Sequence, residues 1–331
     1  GAYGEAYVFF GEDNAVIDPA LSDGLTIEGS ADFRITDAAA LVEDVNGDGI
    51  ADLLLGDADA GTDPVYYANS AGAAFVLFGA IDPVGGTLSL ADVAPAEGLM
   101  ISAIGDDDGL GEAVAAIGDV NGDGLTDFIV TAPNADAVRS YDQAGAAYVV
   151  FGSDSGLPTD LNVGDLDGSN GFVITGDLAF RNLGATAASI GDVNADGFDD
   201  FALSATRSFN GGDQNAVYLL FGDAAPSANL DLAELTRSQG LAIVDDREIE
   251  AMGVDDVNGD GIDDVALMVG DFGYANDVTI LLGNAQLGGV NDAPVAADDD
   301  LALTGATTVS LTADNGFGVD FDPDLDALAI T

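Results

Sequence analysis

Four stretches of the sequence, residues 44–52, 119–127, 192–200 and 256–264, place oxygen-bearing side chains at the same intervals. In each, Asp or Asn stands at positions 1, 3, 5 and 9 and glycine stands at position 6. Oxygens at that spacing wrap around one hard cation, with the glycine permitting the sharp turn and the main-chain carbonyl of position 7 adding a ligand. The predicted ligands are Asp44, Asn46, Asp48, Ile50 and Asp52 in the first loop and Asp119, Asn121, Asp123, Leu125 and Asp127 in the second. In the third they are Asp192, Asn194, Asp196, Phe198 and Asp200, and in the fourth Asp256, Asn258, Asp260, Ile262 and Asp264. Ile50, Leu125, Phe198 and Ile262 enter the set through their carbonyls alone.

Calcium is the expected ion, at about four sites, because it accepts six to eight oxygens in irregular geometry whereas magnesium demands a near-ideal octahedron and retains water. A helical EF-hand loop opens in the same way but needs a bidentate Glu at position 12. Here that position is Leu55, Val130, Leu203 and Leu267, so each loop runs on into a buried strand. Asp-Gly and Asn-Gly are also good turn formers, and a single such stretch reads equally well as a plain turn. Four copies with the same oxygen positions favour the metal. Without it, the carboxylates of a loop repel at close range; with it, they tie two strands together. Extracellular modules bind calcium at about 10⁻⁴ to 10⁻³ M, which suits the fluid outside cells and leaves such sites empty in the cytosol.

The elements that must position these loops recur with them, and a fixed repeat decides the architecture. A Gly-hydrophobic-x-Ile strand start stands at 24–27, 98–101, 171–174 and 240–243. A small-residue strand follows, such as 113–117 or 185–190, and then the acidic loop with a short apolar strand directly behind it, at 53–55, 128–130, 201–203 and 265–267. The last landmark ends in aromatic-Gly or Leu-Gly, at 74–79, 147–152, 217–222 and 278–283. Four short strands per repeat, separated by Gly, Asp and Asn, predict one four-stranded propeller blade per repeat. Leucine-bearing connectors at 88–93 and 230–235 read either as a short helical turn or as an edge strand.

The chain is therefore expected to be all-β. Residues 1–288 form a β-propeller region of four full repeats plus part of a fifth, because an extra copy of the last landmark opens the chain at residues 6–11. A start in mid-blade predicts a piece of a longer polypeptide, with open sheet edges covered by upstream repeats or by another subunit. Residues 289–331 read as a linker and the start of a truncated β-sandwich-like domain.

Composition narrows the chemistry. The 331 residues carry 60 Asp and Glu against six Arg, for a net charge of −54, so nucleic acid and anionic membrane are poor partners. Hydrophobic residues still make up 48 %, enough for a core. Cys, His and Trp are all absent, which removes disulfides, thiolate and imidazole metal sites and the commonest nucleophile and base pairs. No apolar run is long enough for a membrane-spanning helix.

These residues resemble the FG-GAP repeats of integrin α-subunit β-propellers and their bacterial relatives, over about residues 1–288, with the D-x-N-x-D-G-x-x-D loops as the specific part. The Phe-Gly and Gly-Ala-Pro pieces that name the repeat are degraded, to Leu110-Gly111 and Thr131-Ala132-Pro133 in the second repeat and to Leu183-Gly184 in the third. The resemblance implies calcium ligation at the matching loop positions but not ligand recognition, and it implies further repeats upstream, since such propellers are typically seven-bladed. The tail from Asn291 resembles the opening of a bacterial cadherin-like or Ig-like repeat of secreted adhesins. Leu325 stands there where glycine is usual, so Asp322, Asp324 and Asp326 read either as an interdomain calcium site or as a solvated turn.

The leading functional expectation is a calcium-stabilised extracellular adhesion or structural module of a large exported bacterial protein, extracellular or at the cell surface. Its partners are itself, as a homopolymer or surface fibre built through open strand edges, or a cell-surface or matrix ligand. The alternative is the propeller accessory region of a secreted polysaccharide- or lipid-degrading enzyme, in which paired carboxylates cleave glycosides. The missing His, Lys and Trp, and Asp clusters already committed as ligands, argue against catalysis in this chain. A third reading assigns the acidity to salt tolerance and the loops to structure. Tyr66, Tyr67, Tyr141 and Phe209 read as core or loop anchors rather than as a binding face.

Overall fold

The computed structural model describes residues 4–8, 25–30, 33–35, 38–61, 71–79, 86–136, 144–176, 181–206, 215–245, 247–270, 277–285 and 287. The expected sandwich-like tail, including Asp322, Asp324 and Asp326, and the aromatics Tyr66, Tyr67, Tyr141 and Phe209 lie outside these residues.

The described residues form strands and short 3-10 turns, with no α-helix among them. In chain order the strands are β1 (Glu5–Val8), β2 (Leu25–Glu28), β3 (Ala38–Val42), β4 (Asp52–Asp57), β5 (Ala73–Leu77), β6 (Thr87–Ser89) and β7 (Gly98–Ser102). Then follow β8 (Val114–Gly118), β9 (Asp127–Ala132), β10 (Ala146–Val150), β11 (Asp160–Asn162), β12 (Gly171–Thr175) and β13 (Arg181–Gly191). The last are β14 (Asp200–Thr206), β15 (Asn215–Leu220), β16 (Asn229–Asp231), β17 (Gly240–Asp245), β18 (Glu248–Gly253), β19 (Val265–Gly270) and β20 (Asp277–Leu281).

They assemble into five successive sheets: β1-β2-β6, then β3-β4-β5-β7-β11, β8-β9-β10-β12-β16, β13-β14-β15-β17 and β18-β19-β20. This is the all-β, propeller-type architecture expected from the repeats, but the blade boundary is displaced. The Gly-x-x-Ile strand does not open the sheet of its own repeat. β7 instead pairs antiparallel with β5, β12 with β10 and β17 with β15, so each completes the sheet of the repeat before it. Sequence order alone cannot reveal this, because the strand has a chain neighbour on both sides.

The connectors resolve as strand and turn in succession. β6, β11 and β16 add parallel to β2, β7 and β12, each reaching one sheet back. A 3-10 turn follows each at Leu90–Asp92, Val163–Asp165 and Leu232–Glu234. Ser89, Asn162 and Asp231 cap these turns by accepting the main-chain N–H two residues on.

The core lies between sheets rather than inside any one of them. Successive residues of a strand point to opposite faces, and here both faces are covered, which is why the strands read as continuous apolar runs. In β10, Ala146, Tyr148 and Val150 pack toward the second sheet while Ala147 and Val149 pack toward the fourth. β15 divides the same way, with Ala216, Tyr218 and Leu220 on one side and Val217 and Leu219 on the other. The acidic loops are thereby fixed at one end of this stack, each joining the first two strands of its sheet.

Candidate cation-binding loops

The four loops fold alike, held by the same hydrogen bonds. In the first, the Asp48 N–H donates to both Asp44 Oδ1 and Asn46 Oδ1, each at 2.9 Å. The Gly49 N–H reaches Asp44 Oδ2 at 2.6 Å and the Ile50 N–H reaches Asp48 Oδ1 at 2.8 Å. The second loop repeats this set with Asp119, Asn121 and Asp123. The third repeats it with Asp192, Asn194 and Asp196, and the fourth with Asp256, Asn258 and Asp260. Main-chain amides thus turn the side-chain oxygens of positions 1, 3 and 5 inward. The Asp256 carboxyl is held below the usual carboxylate range by the amides of Gly261, Gly259, Asp260 and Asn258.

Glycine at position 6 is needed, since Gly49, Gly124, Gly197 and Gly261 all lie at φ between 85° and 94°. Position 4 is left-handed as well, at 78° for Gly47, 77° for Gly122 and 82° for Gly259. The third loop puts Ala195 there at 57°. A left-handed L-residue costs about 1–2 kcal/mol, partly offset by the greater unfolded-state entropy of glycine. Ala195→Gly is therefore expected to stabilise the protein by about 0.5–1 kcal/mol, read from urea unfolding.

Position 9 differs from the others in burial. Asp52, Asp127, Asp200 and Asp264 are at most 1 % exposed, and each accepts two main-chain amides. One comes from position 2 of the same loop: Val45, Val120, Val193 and Val257, at 2.9 to 3.0 Å. The other comes from the glycine closing the last landmark strand: Gly79, Gly152, Gly222 and Gly283, at 2.8 to 3.0 Å. The aspartate at position 9 therefore staples its loop to the third strand of the sheet. The sequence displayed those glycines at the same place in every repeat but gave no sign that their amides served a carboxylate.

Burial pushes the Asp127 and Asp200 carboxyls up to about 8, opposed by the two amides and reinforced by the neighbouring acids at positions 1 and 5. The same burial raises Asp52. Among the described residues, the ion pairs of Arg247 go to Asp245 and Asp277, and no arginine is paired with a loop carboxylate. The metal-free protein gains stability from protonating Asp127 and Asp200. That contribution is complete below the unfolded value near 4 and is lost as pH rises through about 8. In chelator-treated samples the melting temperature is therefore expected to fall from pH 5 to pH 8, and a rise or a flat profile would contradict it.

As they stand, no three acidic side chains among the described residues are drawn together closely enough to hold a metal ion. The donor chemistry nonetheless suits a hard divalent cation. Each loop offers carboxylates, an amide oxygen and a carbonyl, and its buried acid has no counter-charge among the described residues. The predicted ligands of each loop lie along one nine-residue turn, and sequence reasoning missed the glycine amides behind them.

Residues 110–150 and 184–220 match the FG-GAP repeat family. The chain is 33 % identical over 175 residues to integrin alpha-4 of Xenopus laevis, covering 52 % of this chain and 15 % of that one. It is 33 % identical over 174 residues to integrin alpha pat-2 of Caenorhabditis elegans, covering 51 % and 13 %. Against integrin alpha-PS5 of Drosophila melanogaster it is 34 % identical over 119 residues, covering 34 % and 10 %. The aligned region thus spans 15 % or less of each of these relatives. The matched stretches are similar to FG-GAP repeats, and the chain is similar to integrin alpha chains. Among the described residues no helix is long and apolar enough to cross a membrane.

Proposed function

We propose that, with these FG-GAP repeats as the premise, the chain is a calcium-stabilised adhesion or structural module of a large exported bacterial protein, working outside the cell or at its surface. Residues 1–288 form the propeller region, and residues 289–331 form the linker and the start of a cadherin-like or Ig-like domain. The observation that carries this reading is the fourfold loop, in which the same amides hold the same oxygens in one turn with a buried acid that no arginine among the described residues neutralises. Calcium would be held by the side chains of positions 1, 3, 5 and 9 and the carbonyl of position 7, cancelling charge that otherwise repels.

Adhesion as the class of function is supported by the similarity to integrin alpha chains, and catalysis is not part of the proposal. The bacterial and exported origin rests on the acidic, cysteine-free composition, since the relatives named above are animal proteins. The partner is a cell-surface or matrix ligand, or a second copy. The second copy is supported by β17 and β20, which have no strand on their outer edges among the described residues.

Calorimetric titration of the chelator-treated chain with calcium tests the reading. Uptake of about four ions per chain is expected, at affinities near those of extracellular modules. Uptake should release protons at pH 7, because the ion displaces them from Asp127 and Asp200. A flat titration at millimolar calcium would sink the proposal.

A further inference from the structure

We propose that Asp199 and Asp263 are positioning residues linking the cation sites of neighbouring sheets, so that the second, third and fourth loops fill cooperatively. This rests on the calcium reading above. Asp199 is position 8 of the third loop, yet its side chain leaves that loop and reaches the second, where Oδ2 accepts the Asp119 N–H at 2.8 Å. The main chain closes this contact, since the Asp199 N–H donates to the Asp119 carbonyl at 3.1 Å. Asp263 repeats the arrangement one sheet on, with Oδ2 accepting the Asp192 N–H at 3.1 Å.

The residue grasped in both cases is position 1 of its loop, whose carboxylate holds the amides of positions 5 and 6. The next residue after each clasp, Asp200 or Asp264, is position 9 of the following loop. One peptide unit therefore joins a ligand of one site to the group that fixes the first ligand of the site before it. An ion that orders either end also orders the other, so the second ion has less ordering left to do.

Space for the clasp is provided by glycine. A Cβ on Gly118 would lie 2.1 Å from Asp199 Oδ2, and one on Gly191 would lie 2.1 Å from Asp263 Oδ2. Both glycines directly precede their loops. Where the glycine is missing, so is the acid: Glu43 precedes the first loop, position 8 of the second is Thr126, and Thr126 makes no such bond to Asp44. The pairing of Gly with Asp one repeat later thus follows the contact rather than the loop motif.

The test is a calcium titration of the whole metal-free chain, followed by calorimetry. The wild type should show a Hill coefficient above 1. The double variant Asp199→Ala/Asp263→Ala should bind the same number of ions with a coefficient closer to 1 and about tenfold weaker affinity at the second and third loops, the equivalent of one lost charged hydrogen bond. Asp199→Asn/Asp263→Asn keeps an acceptor oxygen for each amide and should restore the steepness, and Thr126→Ala should change nothing. A second probe leaves the clasps intact. Asp196→Ala, at an exposed position of the third loop, should remove one ion and weaken the second and fourth loops about tenfold. Unchanged affinity of the remaining loops in Asp196→Ala, or wild-type steepness in the double alanine variant, would overturn the linkage while leaving calcium binding intact. A wild-type chain that takes up no calcium would overturn both.

Discussion

Stripping calcium from the protein is expected to lower its melting temperature by on the order of 20 °C. A site held at 100 times its dissociation constant adds about 2.7 kcal/mol, so four independent sites would add roughly 11, comparable with the whole net stability of a typical domain at about 5–15. A chain of this size shifts by about 2 °C for each kcal/mol. The structural reason is the placement of the loops, each of which joins the first two strands of a sheet and is stapled to the third by the aspartate at its ninth position. An ion in a loop would therefore brace three strands at once. Melting curves by circular dichroism in millimolar calcium and then in EGTA measure the effect. Curves that superimpose would mean the loops are held by their amides alone.

Replacing Asp127 with alanine is expected to cost about 3–5 kcal/mol even in chelator. The carboxylate is fully buried and accepts the N–H groups of Val120 and Gly152, and its removal leaves both donors without a partner inside the protein. Each buried unsatisfied donor costs about 1–3 kcal/mol. Asp123→Ala is the contrast. Its side chain is exposed and holds only loop amides, so in chelator its loss should cost about 1 kcal/mol or less, and the larger penalty should appear only when calcium is present. Urea unfolding of both variants with and without calcium separates the two roles. Equal losses in chelator would remove the distinction between an acid that the fold needs without the ion and one that serves the ion alone.

Much of the architecture was legible because the repeats carry it. The apolar strands behind the loops, the Gly-x-x-Ile strands and the aromatic-Gly strands all fall where their residues place them. What the sequence hid was pairing. Nothing in residues 98–101 says whether they join the strand before or after them, and the structure puts β7 against β5. The small-residue strand expected at 185–190 extends to Arg181–Gly191, because its register shifts against β14 let extra residues stay in the ladder.

The loops were legible in the same uneven way. Spacing revealed which residues bear oxygen, but not that Asp52, Asp127, Asp200 and Asp264 are buried while positions 1 and 5 stay close to solvent. It gave no role to position 8, since Asp199 and Asp263 serve a neighbouring loop that lies 71 to 80 residues away in the chain. Main-chain donors such as Gly79 leave no mark on residue type at all.

The offset between repeat and sheet bears on how such an array grows. Because every copy lends its opening strand to its predecessor, inserting or deleting one whole copy anywhere inside the array leaves each internal sheet with a full set of strands. Gene duplication can therefore lengthen or shorten the chain without passing through a broken blade, and adjacent copies stay interlocked like overlapping tiles rather than butted like bricks.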